Sequence, residues 1–312
     1  MKHIVLALSG PTGSGKTDWA IKLAEDVGGV IIAADSRTVY QSLNIGTNKV
    51  TYEYPAVERS SPLGPIYRIQ GIDHYGLNLC SAHERYTASM FQQYVYRLLP
   101  LLWEQRRVPI LVGGTGLYIQ SILDGFEFPA LARLPAEWQV KPTVDLVEEL
   151  QLWDPQSAAQ IDIQNRARVE RALAHAFVTG KSFHSAQRKR TPDFQSAIFV
   201  IKPDKQQLYD RLDRRLEEWI ESGLLTETAA LLAEGVSADR VTSFGFMYRI
   251  ALDRLSERIN DMAMREQLRR ELRRFAKRQL TWWRRYPNTQ WVTRYTEFAR
   301  EAKRALKEAR EC

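Results

Sequence analysis

Eight residues near the start of the chain have the types and spacing of a phosphate-binding loop. Residues 10–17 read G-P-T-G-S-G-K-T, a complete G-x-x-x-x-G-K-[ST] motif between an apolar run and a helical pattern. Glycines let such a loop wrap backbone N–H groups around phosphate oxygens, while Lys16 can reach a terminal phosphate and Thr17 can bind Mg²⁺. The predicted contacts are Gly10, Pro11, Thr12, Gly13, Ser14, Gly15, Lys16 and Thr17. The motif does not identify the molecule that carries the phosphate.

Two further segments place polar residues directly after apolar runs. Asp35 opens D-S-R-T-V-Y after the run 30–34, and Thr115 lies in G-G-T-G-L-Y after the run 108–112. Because parallel strands bind ligands at their carboxyl ends, both residues are candidates for the same site. Asp35 could bind Mg²⁺, cap a helix or act as a general base. Thr115 could cap a helix or contact substrate.

Three arginines share one face of a predicted helix. Arg211, Arg214 and Arg215 stand at i, i+3 and i+4. Directed at a phosphate, such arginines provide the bidentate bonds that a departing pyrophosphate needs. The alternative is a solvated face on which they pair with nearby acids, namely Asp210, Asp213, Glu217 and Glu218.

The positive charge of the chain is concentrated late. There are 44 basic and 37 acidic residues, a net charge of +7, and nine arginines and lysines fall between Arg265 and Arg285 against two glutamates. Residues 276–285 read A-K-R-Q-L-T-W-W-R-R, which suits phosphate contact and stacking on nucleobases. Alternatively, the charged residues form a solvated face of a helix, and at least one of the two tryptophans lies in the core.

The elements that must position these residues indicate an α/β fold. Strands are predicted at 4–8, 30–34, 66–72, 108–112 and 197–201, with helices at 16–27 and 88–104. This alternation predicts a P-loop NTPase-like parallel sheet flanked by helices. Residues 125–192 have a helical pattern broken by prolines, and the chain from 206 onward is predicted to be helical. We therefore expect a core of 1–125, an inserted helical subdomain of 126–194, and completion of the core with a basic helical region at 195–312.

Composition excludes several classes of protein. Two distant cysteines, Cys80 and Cys312, support neither a disulfide framework nor a zinc site, and the five histidines have no metal-ligand spacing. The first residues hold an apolar run too short for a signal peptide, and no later stretch is long enough to span a membrane. We expect a cytoplasmic protein with no membrane partner.

Taken in order, these segments resemble the tRNA dimethylallyltransferase family. The matching pieces span residues 10 to about 285. They are G-P-T-G-S-G-K-T, A-D-S-R-T-V-Y-Q-S-L-N-I-G-T-N-K, E-R-Y-T-A-S-M-F, L-V-G-G-T-G-L-Y, R-V-E-R-A-L, R-R-L-E-E-W-I-E-S-G-L and A-K-R-Q-L-T-W-W-R. Without a C-terminal zinc finger, the chain resembles bacterial members.

The resemblance implies transfer of a dimethylallyl group from dimethylallyl diphosphate to N6 of adenosine 37, in the tRNA anticodon loop. The family uses its P-loop for the pyrophosphate of that donor, with Mg²⁺. By matching positions, Asp35 is the general base, Thr115 its partner near the reacting centre, and Arg215 the arginine that steadies the diphosphate. The tRNA contacts expected on the same basis and from the basic segment are Asp35, Ser36, Arg37, Thr38, Thr115, Arg168, Arg171, Lys277 and Arg278. We expect a monomer.

Four segments depart from the family pattern. Thr38 replaces a usual Gln, and Ala167 replaces a common polar residue. The segment 79–83, which contains Cys80, lacks the usual aspartate-proline start, and G-F-M-Y at 245–248, which contains Met247, replaces G-Y-[KR]-[EQ]. The departures concern tRNA contacts and specificity more than the donor site.

Three other functions compete with this one. A nucleotide kinase would share the P-loop, the sheet and the arginines, but it would turn over ATP. An adenylate isopentenyltransferase would perform the same chemistry on free AMP, ADP or ATP, whereas the basic segment favours a polymer. An RNA-binding module with an inactive P-loop is disfavoured because Lys16, Thr17, Asp35 and Thr115 are all present.

Overall fold

The computed structural model describes residues 3–53, 56–129, 132–186 and 188–311. In chain order, the strands are β1 (Ile4–Ser9), β2 (Gly29–Ala33), β3 (Ala56–Arg59), β4 (Ile66–Ile69), β5 (Ile72–Tyr75), β6 (Val108–Gly113), β7 (Phe126–Glu127), β8 (Arg188–Lys189), β9 (Gln195–Ile201) and β10 (Gln290–Val292). The helices are α1 (Lys16–Val27), α2 (Val50–Glu53), α3 (Ala88–Glu104), α4 (Gly116–Leu123), α5 (Ala136–Gln139), α6 (Thr143–Trp153), α7 (Pro155–Gln160), α8 (Arg166–Thr179), α9 (Phe183–Ala186), α10 (Lys205–Glu221), α11 (Leu224–Ala233), α12 (Ala238–Ser243), α13 (Phe246–Leu255), α14 (Asp261–Arg284) and α15 (Tyr295–Glu311).

Eight strands form one sheet in the order β10-β9-β1-β6-β2-β5-β4-β3. The six strands from β10 to β5 run parallel, and β4 and β3 continue the sheet antiparallel at one edge. One face packs against α1 and α15, and the other packs against a larger apolar cluster that includes α3, α4 and α10 to α14. The predicted α/β fold, a mostly parallel sheet flanked by helices, is confirmed.

Two local predictions are wrong. The single strand expected at 66–72 is instead a hairpin of β4 and β5, turned at Gln70 and Gly71 with φ of 49° and 78°. Both angles lie in the left-handed region that two-residue hairpin turns require. The C-terminal third is not helical throughout, since β10 pairs with β9 at the sheet edge. A strand of three residues is too short to show the alternation of apolar and polar residues by which a strand is recognised in a sequence.

The chain divides into two compact units, one of residues up to Leu123 and from Asp193 onward, the other Asp124–Pro192. The second unit contains α5 to α9 and the two-stranded antiparallel sheet of β7 and β8, with a core of its own that includes Leu146, Leu150 and Leu173. Three of its prolines lie at helix starts: Pro135 and Pro142 directly precede α5 and α6, and Pro155 occupies the first turn of α7, where the missing N–H has no partner to lose. Within the described ranges, no helix combines the length and apolarity needed to cross a bilayer.

Candidate active site

The predicted phosphate-binding loop lies between β1 and α1, at the carboxyl edge of the sheet. Gly13 and Gly15 have φ of 75° and 79°, in the left-handed region that favours glycine. Packing also excludes a side chain at Gly13, because a Cβ atom there would lie 2.9 Å from Leu212 Cδ2. Most of the loop borders a cavity of about 760 Å³. The loop residues that line it are Thr12, Gly13, Gly15, Lys16 and Thr17.

Lys16 connects the loop electrostatically to two other predicted site residues. Its Nζ donates a hydrogen bond to Pro11 O at 3.2 Å, so the side chain folds back over the loop. Burial lowers the pKa of Lys16 to about 8, the nearby Asp35 carboxylate opposes that shift, and the Arg215 guanidinium adds to it. Lys16, Asp35 and Arg215 therefore act on one another in the same cavity, although they come from α1, the turn after β2, and α10.

Asp35 lies just beyond β2 and its carboxylate shapes the following turn. Oδ1 accepts a hydrogen bond from the Arg37 N–H at 3.0 Å. Residues 36–39 form a turn, so Asp35 does not cap a helix, which removes one of the roles the sequence left open. Oδ2 lies 3.7 Å from the position that a Cβ atom would take on Gly114, on the neighbouring strand end. The carboxylate thus faces the G-G-T segment.

Thr115 joins the two strand-end segments. It immediately precedes α4, as expected for a cap position, and its Oγ1 accepts a hydrogen bond from the Ser36 N–H at 3.0 Å. The hydroxyl also donates to Ser36 Oγ at 3.4 Å, at the limit of a hydrogen bond. Asp35, Ser36 and Thr115 all line the cavity, so the structure brings the predicted base and its predicted partner together.

Sequence reasoning did not select Gln279 as a site residue, although it lies between the predicted ones. Its Oε1 accepts from the Thr12 N–H at 2.9 Å, and its Nε2 donates to Gly114 O at 3.1 Å. The signal was available, because Gln279 is a polar residue within the buried apolar stripe of α14. The other members of that stripe are Met264, Leu268, Leu272, Ala276 and Trp283.

The two tryptophans of the basic segment have different environments. Trp283 is buried, and its Nε1 donates to Ser9 Oγ at 2.8 Å, which fixes α14 to the end of β1. Trp282 lines the cavity and packs on Gly116 at the start of α4, where a Cβ atom would lie 2.3 Å from Trp282 Cδ1. One tryptophan therefore belongs to the core, as the sequence analysis allowed, and the other offers an aromatic surface to the cavity.

The predicted arginine face of α10 lies at the cavity, with Arg211 and Arg214 exposed and Arg215 half-buried. Arg211, Arg214 and Arg215 all border it. Two of the acids considered as their partners pair instead with α14: Asp213 with Arg273 at 2.5 Å, and Glu217 with Arg269 at 3.5 Å. Glu217 also pairs with Arg265. These ion pairs hold α10 against α14.

A further wall of the cavity comes from residues 44–49. Glu227 of α11 accepts hydrogen bonds from the N–H groups of Asn44, Ile45 and Gly46 at 2.7–3.1 Å. Tyr248 donates to the same carboxylate at 2.7 Å. The segment is therefore held by three hydrogen bonds to one side chain, and its residues Gly46, Thr47 and Asn48 border the cavity.

Lys49 ends this segment in a fully buried position. Its Nζ donates to Tyr40 O at 2.6 Å, to Asn78 Oδ1 at 2.5 Å and, more weakly, to Gln41 O at 3.2 Å. Burial lowers the pKa of Lys49 to about 7, against the opposing charge of Glu227. Lys49 thus anchors the end of the I-G-T-N-K motif, whose Gly46, Thr47 and Asn48 border the cavity.

Comparison with known proteins identifies the family to which this chain belongs. The IPP transferase family profile matches residues 38–286, and an isopentenyl transferase profile matches residues 3–58. The chain belongs to the IPP transferase family. Membership confirms the resemblance and the predicted enzyme class, a prenyl transferase.

Individual relatives extend over nearly the whole chain. A tRNA dimethylallyltransferase from Heliobacterium modesticaldum is 36% identical over 296 residues, covering 92% of this chain and 88% of the relative. One from Pelotomaculum thermopropionicum is 31% identical over 300 residues, covering 93% and 91%. Among solved structures, the tRNA isopentenylpyrophosphate transferase from Bacillus halodurans has a TM-score of 0.72 at 27% identity, covering 100% of this chain and 99% of that chain.

The basic residues of this IPP transferase divide into paired and exposed groups. Arg265, Arg269, Arg273 and Arg274 form ion pairs with acids of α10 or α14. Lys277, Arg284 and Arg285 are exposed, and within the described part of the chain no carboxylate lies within 4.0 Å of them. Arg278 borders the cavity, with its guanidinium 5.8 Å from the centre of the Phe275 ring. Four of the nine cationic residues of the cluster are therefore ion-paired within the protein.

The remaining predicted tRNA contacts have different degrees of exposure. Arg168 and Arg171 are exposed on α8 of the second unit. Arg37 borders the cavity, whereas Thr38 is buried and its hydroxyl donates to Asp35 O at 3.3 Å. Of the other positions that depart from the family pattern, Cys80 is buried, Met247 is buried at the cavity, and Ala167 is exposed.

Proposed function

We propose that this IPP transferase moves a dimethylallyl group from dimethylallyl diphosphate to N6 of adenosine 37 in the anticodon loop of tRNA. The bond between C1 of the donor and its bridging oxygen breaks, diphosphate leaves, and C1 forms a bond to N6. The nitrogen loses a proton to the Asp35 carboxylate. One observation carries the proposal: Asp35 lines the same cavity as Lys16 and Arg215, which gives a base and a cationic diphosphate site within one enclosure.

At the donor end, the negative charge that gathers on the leaving diphosphate meets fixed positive groups. These are the loop amides, the N-terminus of α1, Lys16 and Arg215. Electrostatic stabilisation of this kind acts most strongly as the C–O bond lengthens. These groups would stabilise any diphosphate leaving group. Support for a prenyl diphosphate as the donor therefore comes from membership of the IPP transferase family.

The residues present also fit a magnesium ion that arrives with the diphosphate. Mg²⁺ commonly binds through one or two protein oxygens together with substrate phosphates and water. The Thr17 residue at the start of α1 lines the cavity and offers such an oxygen. Among the described residues, no group of three or more His, Cys, Asp or Glu side chains could hold a metal by itself. Bound beside Thr17, the ion would neutralise charge on the diphosphate.

At the acceptor end, Asp35 compensates for a weak nucleophile. The lone pair of an exocyclic adenine amine is delocalised into the ring, so a carboxylate that takes its proton assists bond formation. Adenosine 37 has to leave its stack to reach this carboxylate. Trp282, Phe246 and Phe275 line the cavity and provide aromatic surfaces against which a purine can pack. Contacts to tRNA phosphates are proposed for Lys277, Arg278, Arg168 and Arg171.

The deciding experiment supplies labelled dimethylallyl diphosphate with bulk unmodified tRNA, with AMP or with ATP. Label should appear in tRNA and co-migrate with N6-(dimethylallyl)adenosine after digestion to nucleosides. An anticodon stem-loop with adenosine at position 37 should accept the label, whereas the matched stem-loop with guanosine there should not. Label in AMP or ATP but not in tRNA would identify a nucleotide isopentenyltransferase instead, and ATP turnover would favour a kinase.

A further inference from the structure

The side chain of Gln279 bridges two loops that belong to opposite ends of the proposed reaction. Thr12, whose N–H it accepts at 2.9 Å, is part of the diphosphate loop. Gly114, whose carbonyl receives its Nε2–H at 3.1 Å, precedes Thr115 and faces Asp35. Gln279 is only 6% exposed, so its amide is largely shielded from solvent.

The residue types at Gly114 and at position 279 are those that this bridge requires. A Cβ atom on Gly114 would lie 2.1 Å from Gln279 Nε2, so only glycine leaves room for the amide. An apolar residue at 279 would remove the partner of the half-buried Thr12 N–H and leave the buried Gly114 carbonyl without this hydrogen bond, which is costly. Trp283, one turn further along α14, anchors the same face of the helix to Ser9.

The bridge spans the groups that must be held at a defined separation. Displacement at C1 requires the leaving diphosphate and the incoming nitrogen on opposite sides of one carbon atom. Rates fall steeply when reacting groups are misplaced by a fraction of an ångström to one ångström. Thr12 moves with the diphosphate loop, and Gly114 moves with Thr115, which holds Ser36 beside Asp35.

We propose that Gln279 is a positioning residue for the transfer, setting the separation between the diphosphate loop and the segment that orients Asp35. The inference rests on the proposed function of this same site. Gln279 touches neither reacting atom, since both ends of its amide are bonded to protein backbone. It acts through Thr12 on the donor and through Gly114 on the base.

The test is Gln279→Met, because methionine has a similar length and no branching but cannot make either bond. We expect kcat to fall about 10-fold to 100-fold, with little change in the KM for tRNA. Affinity for inorganic pyrophosphate, measured by calorimetry, should fall about 3-fold to 10-fold, the scale of one lost hydrogen bond. Gln267→Met, twelve residues earlier on α14, is the matched control and should behave as wild type.

A second variant separates positioning from packing. Gln279→Glu still accepts from Thr12 but places a carboxylate against the Gly114 carbonyl and near the diphosphate, so the KM for the donor should rise as well. If Gln279 only packs, Gln279→Met should have the kcat and the pyrophosphate affinity of the wild-type protein, and that result would overturn the inference. Equal losses of kcat, tRNA affinity and thermal stability in both variants would also overturn it. If wild-type protein modifies no tRNA, the proposed function fails; a wild-type pyrophosphate affinity in Gln279→Met would instead refute the bridge.

Discussion

The Ser36 N–H donates a hydrogen bond to Thr115 Oγ1 at 3.0 Å, across residues that are 79 positions apart in the chain. This bond joins the segment after β2 to the segment after β6, which pair as neighbours in the sheet. Because Ser36 follows Asp35 directly, the bond limits how the backbone carrying the carboxylate can turn. Thr115 therefore acts on the base through the main chain.

Asp35→Asn should lower the single-turnover rate by about 10²-fold or more, the scale of a lost general base. Asparagine retains an oxygen for the Arg37 N–H, so the turn should persist and tRNA affinity should stay within a few-fold of wild type. Rapid-quench measurement of label transfer decides this, with Asp239→Asn, exposed on α12, as control. Near-normal transfer by Asp35→Asn would exclude Asp35 as the base.

Arg215→Ala should raise the KM for dimethylallyl diphosphate and lower kcat, because it removes positive charge where the leaving group gains negative charge. Affinity for tRNA should hardly change. Steady-state kinetics with each substrate varied in turn will show whether the loss concerns the donor or the tRNA. The Arg300→Ala variant, at an exposed position on α15, serves as control. Loss of tRNA binding alone would assign Arg215 to the RNA surface instead.

Binding of pyrophosphate should weaken as the pH rises above about 8. The pKa of Lys16 is lowered to about 8, so its ammonium charge is present below that pH and lost above it. An ordinary lysine would keep its charge until about 10.5. Calorimetry between pH 6.5 and about 9.5 should show a break near 8 in wild type. The Lys16→Arg variant keeps its positive charge over this pH range, so any pH dependence of its binding reports the ionisation of pyrophosphate itself. Identical pH profiles for the two proteins would contradict the prediction.

Exposed basic residues of α14 should determine the salt dependence of tRNA binding. Replacing Lys277, Arg284 and Arg285 by alanine should make the slope of log K against log salt shallower by up to about three units, because each phosphate contact releases close to one counterion. The matched control replaces Arg265, Arg269 and Arg273, which are ion-paired to α10. Thermal melts must first show that both variants are folded. An unchanged slope in the first variant removes this surface from the tRNA interface.

The stability of the protein should increase with pH through the titration of Lys49. Its folded pKa is about 7, below the ordinary 10.5, so between these values the unfolded chain binds a proton that the folded protein does not. Unfolding free energy should therefore rise by up to about 1.4 kcal/mol per pH unit in that window, and not below it. Lys49→Met lacks this titration. Between pH 7 and 9, the melting temperature of the wild-type protein should rise relative to that of Lys49→Met. Parallel changes in the two proteins would contradict the lowered pKa of Lys49.

Local patterns in the sequence were sufficient for much of the site. The glycine spacing of residues 10–17 requires a loop that left-handed backbone angles allow, and the structure has it at Gly13 and Gly15. Asp35 and Thr115 follow apolar runs, and parallel strands bring their carboxyl ends to one edge. These inferences rest on interactions between near neighbours and on one general rule of sheet topology. The hairpin of β4 and β5 was missed although its strands pair locally around Gln70 and Gly71. The three-residue strand at 290–292 was missed because it is defined by pairing with the distant strand β9.

Only the tertiary structure decided what each charged or polar residue of the long helices does. Arginines of α10 and α14 are alike in sequence, yet packing of the two helices pairs Asp213 and Glu217 with α14 and leaves Arg215 at the cavity. Likewise, Gln279 has no role until Thr12 and Gly114, 267 and 165 residues away in the chain, lie on either side of its amide. A helix period shows which side of a helix is buried, but the partner that completes a buried hydrogen bond is selected by the fold.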